Sequence, residues 1–370
     1  MPAHRSRPLI ASVALGLVLA LSVLPSVPAS GTHQGRLRMI NGDGFGNPNN
    51  VGFTRLYAAT PSNRSAPSDV NCLFTASRNF VEGTIVYRSC DGERFEPISP
   101  PGINGDPAND SPASLAWFEG AGDPRGSNGM LYVATWKSRT PYVAGSVFRA
   151  NADAKNPSKI VWETITTDAF GDPDRVSIVG FATFKGHLYA GTFNDWVRRF
   201  PRDGGTEIFR TATGDPGDWT VVAPKGFGGP LGPRCNTDAH KMLVYGGYLY
   251  VGTEEAGCLD VVGGAIWRTD GNLSPPYDQW EQVNLPGFGR NYNNNVFGLD
   301  VFQGHMYATT WTWGPPGSEV WRAHLAPPGE PQPAPFDWEQ VSLPGFGNPE
   351  NQFSSGIVHL DDTLYTIGSD

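Results

Sequence analysis

Charge is scarce in this 370-residue chain: Asp, Glu, Lys and Arg make up only 17% of it, with a net of −9 at pH 7. An acidic chain without a basic stripe repels phosphate backbones, which argues against a nucleic-acid partner. Cysteine is scarce too. Cys72, Cys90, Cys235 and Cys258 are the only four, and none has the Cys-x-x-Cys spacing of a zinc site. There is no Gly-x-Ser-x-Gly elbow, His-Glu-x-x-His helix, phosphate-binding loop or EF-hand string. No cofactor and no metal are therefore expected. Beyond the first 29 residues no apolar run reaches the roughly 20 residues of a membrane-spanning helix.

Turn formers and aromatics are plentiful: 46 Gly and 33 Pro, with 11 Trp, 12 Tyr and 20 Phe. That composition reads as a turn-dense, mostly β protein with ample material for a core. The N-terminus is different in kind. Arg5 and Arg7 precede an apolar run over Leu9–Leu24, followed by small residues that place a cleavage point after Ala29. Residues 1–29 read as a secretory signal peptide and residues 30–370 as one domain, exported and expected to be a monomer. Export means an oxidising compartment, so the four cysteines are expected to pair.

The chain repeats itself. Leu-Tyr pairs follow tight turns at Leu131-Tyr132, Leu188-Tyr189, Leu249-Tyr250, Met306-Tyr307 and Leu364-Tyr365, with a degenerate copy at Leu73-Phe74. Successive spacings are 58, 57, 61, 57 and 58 residues. Each unit then adds an aromatic-Arg pair, an aromatic-led strand and a Gly-Phe-Gly or Asn-rich loop. Four short strands per unit, recurring about every 58 residues, predict a six-bladed β-propeller, because one blade cannot bury both faces alone. The stretch near Arg36–Ile40 matches a fourth strand and is expected to pair into the last, incomplete blade. In this frame Cys72 and Cys90 fall at one end of a hairpin, while Cys235 and Cys258 lie in two loops of one face. The expected bridges are Cys72–Cys90 and Cys235–Cys258.

The Leu-Tyr hairpin and late Trp resemble kelch-type blades, with Gly/Ala-Thr replacing the kelch double glycine. The segments "YRSCDGERF" (87–95) and "WRTDGNLSPPYDQW" (267–280) resemble the Asp-box turns of sialidase-like propellers. This resemblance implies a propeller of the blade plan already derived. The arginine triad and Tyr-Glu nucleophile pair of sialidases are not found.

In such a ring the loops entering the first strand and those joining strands two and three share one face. That face carries Trp136, Trp311 and Trp313 beside Asn293, Asn295 and several carboxylates. Flat aromatics next to amides and carboxylates suit sugar rings, which stack through C–H faces and hydrogen-bond through hydroxyls. The repeated Asn and Asp also serve turns, and the aromatic-Arg pairs recur too regularly to be a site. The fourth unit departs most. It puts Lys241 where others have Gly180, Gly298 and Gly356, and adds Arg234, Asp238, Glu254 and Glu255. These are the candidate ligand-binding residues. The expected function is binding of a glycan or other extracellular polymer. The alternatives are a carbohydrate-active hydrolase or lyase using Asp238 with Glu254 or Glu255, or a protein-protein scaffold.

Overall fold

The structure is a computed structural model. It describes residues 43–59, 71–120, 129–139, 143–172, 175–194, 204–228, 236–255, 263–327, 330, 332–360 and 362–369. Residues 1–29, Arg36–Ile40, Arg234, Cys235 and Cys258, with the readings placed on them, lie outside the described residues.

The chain is a β-propeller. Its first blade is β1 (Asn50–Ala59), β2 (Cys72–Asn79), β3 (Val86–Ser89) and β4 (Glu96–Pro97). The second is β5 (Ser111–Phe118), β6 (Met130–Trp136), β7 (Val147–Ala150) and β8 (Trp162–Thr166). The third is β9 (Arg175–Phe184), β10 (His187–Asn194), β11 (Ile208–Thr211) and β12 (Thr220–Val221). The fourth is β13 (Asp238–Tyr245), β14 (Tyr248–Glu254), β15 (Ile266–Thr269) and β16 (Glu281–Gln282). The fifth is β17 (Asn293–Phe302), β18 (His305–Thr312), β19 (Val320–His324) and β20 (Trp338–Gln340). The sixth shows two strands among the described residues, β21 (Phe353–Leu360) and β22 (Thr363–Ser369). All pairings within blades are antiparallel. Among the described residues no helix is long and apolar enough to cross a membrane.

The apolar cores lie between blades, which is why the repeat must stack. One cluster joins Phe184, Tyr189, Ile208 and Phe227 of blade three to Met242, Val251, Trp267 and Trp280 of blade four. Each repeated sequence feature has a structural job at these seams. The late Trp donates its indole N–H to a carbonyl of the preceding blade: Trp162 to Ile98, Trp280 to Val222 and Trp338 to Val283, at 2.7, 2.9 and 3.0 Å. The third-strand Arg pairs with a fourth-strand Glu in four blades, as Arg88–Glu96, Arg149–Glu163, Arg268–Glu281 and Arg322–Glu339.

The Gly-Phe-Gly loop puts its phenylalanine in the left-handed region, at φ 62° for Phe227 and 59° for Phe288. A non-glycine residue there is strained. Stacking offsets the cost: Phe227 lies on Trp267 at 5.1 Å and Phe288 on Trp321 at 4.9 Å, nearly parallel. Just beyond the loop an asparagine amide donates back to its glycine carbonyl. Asn50, Asn109, Asn236, Asn293 and Asn351 do so to Gly44, Gly102, Gly226, Gly287 and Gly345. The threonine ending the Leu-Tyr-x-x-Thr run donates to that asparagine in three blades. Most of the loop asparagines are therefore clasps.

Two further features concern specific residues. Cys72 and Cys90 are disulfide-bonded, with Cα atoms 4.0 Å apart at one end of the β2–β3 hairpin. Of the inner-strand glycines Gly180 and Gly298 are crowded by their neighbours, whereas Gly356 has open space around it. A Cβ on Gly180 would stand 2.4 Å from the Ala239 carbonyl oxygen, and one on Gly298 2.5 Å from the Thr309 hydroxyl.

Candidate functional site

The site follows from two departures from the repeat, both in blade four. Where the end of the second strand carries Trp136, Phe193 and Trp311 in blades two, three and five, blade four carries Glu254. Where the inner strand of blade five carries Phe297, blade four carries His240. The register pairs Asp238 with Glu254, and the strand is irregular between Asp238 and Lys241. That irregularity lets Asp238 and His240 meet. His240 Nε2 stands 2.8 Å from Asp238 Oδ2 and 3.5 Å from Glu254 Oε2. Across the seam, where β14 touches β17 through Glu254 and Asn295, the Asn295 amide donates to Glu254 Oε2 at 2.9 Å.

The two carboxyls are nearly sealed, Asp238 at 1% and Glu254 at 7% exposed. The His240 side chain, at 12%, is the member with most solvent contact. Burial and the Glu254 carboxylate push Asp238 well above the usual carboxylate range. Burial would raise Glu254 as well, but the His240 imidazolium, the Asp238 carboxyl and the Asn295 amide outweigh it and hold Glu254 below its ordinary value. Burial alone would lower His240, yet the two carboxyls raise it to about 9. The two carboxyls are thus pushed in opposite directions, Asp238 toward its protonated form and Glu254 toward its ionised one. Asp238 Oδ1, His240 Nδ1 and Asn295 Oδ1 are buried without a hydrogen-bond partner.

One ligand atom from each of Asp238, His240 and Glu254 lies within 4.8 Å of the others, the spacing a divalent cation would need. The 2.8 Å approach of His240 to Asp238 is a hydrogen-bond distance, closer than two ligands usually sit on one ion, and the ionised Glu254 lies 3.5 Å from the same ring nitrogen. The imidazolium already occupies the cation's place.

Aromatic rings run around the mouth from this cluster. Trp136 meets Phe193 at 5.8 Å, Phe193 meets His240 at 6.5 Å, and His240 lies 4.6 Å from Phe297. Phe297 meets Phe353 at 4.9 Å, Phe353 meets Trp311 at 5.4 Å, and Trp311 meets Trp313 at 4.8 Å. The arc spans blades two to six and ends on Trp313, 65% exposed.

The structure therefore joins Asp238, Glu254 and Asn295, and sets Trp136, Trp311 and Trp313 in one arc. It does not bring Lys241 to the carboxyls: the charges acting on that ammonium are Arg55 and Asp300. Lys241 sits further along the strand, opposite Gly252. Glu255 is buried at 2% and accepts from the Gly263 backbone N–H at 3.5 Å, a loop contact. Asn293 is fully used as a clasp, donating to Gly287 and to Glu319 Oε2 while accepting from Thr310. Phe297, Phe193 and Phe353 were absent from the sequence-based candidates, and His240 was readable only as a member of the irregular fourth unit. The signal that singles it out is its alignment with Phe297 in the next repeat.

No protein-family model matches the chain, and no curated protein does. Solved structures are similar to it at low identity. An α-L-arabinofuranosidase of Fusarium graminearum is 10% identical over 85% of this chain and 88% of that one, with a TM-score of 0.47. An α-L-arabinanase of Penicillium chrysogenum, complexed with arabinobiose, is 12% identical over 79% and 82%, at 0.44. A luciferin-regenerating enzyme is 8% identical over 85% and 87%, also at 0.44. None of these three bears a kelch or sialidase name.

Proposed function

We propose that this protein is exported and acts on a glycan as a glycoside hydrolase, through the Asp238–His240–Glu254 cluster beneath the aromatic arc. The observation that carries the reading is the pairing of two carboxyls, bridged by one histidine, at the point where a ring of aromatics meets the channel. Glycoside cleavage needs one carboxyl that holds a proton to give the leaving oxygen and one that stays ionised to act as base or nucleophile. Asp238 fits the first role and Glu254 the second. Trp311 and Trp313 supply a stacking platform for the sugar faces.

The test is release of reducing ends from arabinan, galactan, xylan and pectin, with Asp238→Asn and Glu254→Gln as controls. The expected result is turnover by the parent and a loss of at least about a hundredfold in each variant. Turnover that survives both substitutions rules the assignment out. A second reading, glycan binding without turnover, is favoured by the near-complete burial of Asp238 and Glu254. Saturable binding to one of these polymers, lost in Trp313→Ala and accompanied by no product, selects it.

A further inference from the structure

A second departure from the repeat lies deeper in the ring. Lys241 pairs with Gly252, three residues past the leucine of its Leu-Tyr pair, and Arg55 pairs with Ala76, the same place in blade one. At this position blade two has Ser114, and blades three and five have Gly180 and Gly298. Two of the six blades thus supply a long cation, and in a six-membered ring blades one and four face each other.

Arg55 reaches across. Its Nε donates to the Ala113 carbonyl at 2.5 Å, which fixes the stem, and its guanidinium carbon lies 6.0 Å from the centre of the Phe297 ring in blade five. Phe297 is also the ring that packs on His240. The Arg55 head therefore reaches blade five, the neighbour of the blade that carries Lys241. Burial and then the Arg55 charge hold the Lys241 ammonium below its usual range, while Asp300 only partly offsets them. Asp300 Oδ2 is already engaged by blade six, accepting from the His359 backbone N–H and lying 2.8 Å from its ring nitrogen. Among the described residues, neither Lys241 Nζ nor the terminal nitrogens of Arg55 has a hydrogen bond or an ion pair. Both side chains keep some contact with solvent.

Two cations close enough to feel each other's charge, with no ion pair among the described residues, are costly, and an oxyanion between them removes the repulsion and satisfies their donors. We propose that Arg55 and Lys241 form an oxyanion site in the channel, which takes the carboxylate of a uronic-acid residue when a glycan lies on the aromatic arc. The uronate half rests on the glycan reading above; the oxyanion half does not. It makes the substrate class an acidic polysaccharide rather than a neutral one.

The experiment is calorimetric titration of the full chain with a galacturonate trisaccharide, the corresponding neutral galactose trisaccharide, and acetate and inorganic phosphate alone. Lys241→Gly and Arg55→Gln are compared with the parent, and Lys241→Met replaces the glycine variant if that one fails to fold. The parent should bind the acidic trisaccharide roughly tenfold or more tightly than the neutral one. Each variant should bring that ratio close to one without changing the neutral affinity. Equal affinities in the parent, or a preference that survives both substitutions, overturn the proposal. Phosphate or acetate binding that both substitutions abolish, without a preference among the sugars, keeps the oxyanion site and overturns the uronate as its source. If neither trisaccharide binds, the glycan reading fails, and the phosphate and acetate titrations alone decide the site.

Discussion

Replacing His240 by Phe, the residue blade five carries at the same place, tests the electrostatics of the mouth. His240 is raised from 6.5 to about 9 by the two carboxyls beside it. Each tenfold gain in proton affinity is worth about 1.4 kcal/mol, so the proton held in the folded state adds on the order of 3 kcal/mol. The sign follows from the direction. A folded value above the unfolded one means the folded state holds more protons between the two. That stability is fully present below about pH 6.5 and is lost as pH rises through about 9. Urea unfolding of the parent and His240→Phe at half-unit steps from pH 6 to 10 reports on the coupled His240–Asp238–Glu254 cluster, since the groups outside it are common to both. The parent should exceed the variant by roughly 3 kcal/mol near pH 6.5 and lose most of that lead by pH 9.5. NMR titration of the imidazole gives the value directly. Parallel pH profiles for the two proteins, or a His240 midpoint at or below 6.5, would refute the ion-pair account.

Other perturbations read the scaffold. Gly263→Ala should destabilise by about 2 kcal/mol or more, since its φ is +94° and a Cβ would meet Gly287 Cα at 2.5 Å; denaturant midpoints check this. Trp280→Ala should cost roughly 3–5 kcal/mol, because it empties a seam between blades three and four and orphans the Val222 carbonyl. Reducing Cys72–Cys90, which closes a separation of 18 residues, should lower stability by about 3 kcal/mol in the chain-entropy account. Trp313→Ala should leave the melting temperature within about a degree of the parent, because the ring is 65% exposed, while weakening any glycan bound at the arc.

The sequence by itself determined the blades. A Leu-Tyr pair about every 58 residues names six hairpins, and turn chemistry between them marks the loops. Strand alternation and turn geometry depend on neighbours a few residues apart, so a single chain displays them directly. The pairing of Cys72 with Cys90 was readable for the same reason, since both belong to one hairpin. Sequence could also single out blade four as irregular, through Lys241, Asp238 and Glu254. It could not say which of them meet. That Asp238 is bridged to Glu254 by His240 depends on the irregular stretch of β13, which turns two residues of one strand toward the same partner. That Glu254 receives the Asn295 amide depends on how blades four and five abut. Arg55 was invisible as a channel residue because its partner surface, Phe297, lies four blades onward and comes within 6.0 Å only when the ring forms. Repeats encode each blade locally, whereas the charges that meet at the channel are set by the ring's curvature, which no single repeat contains.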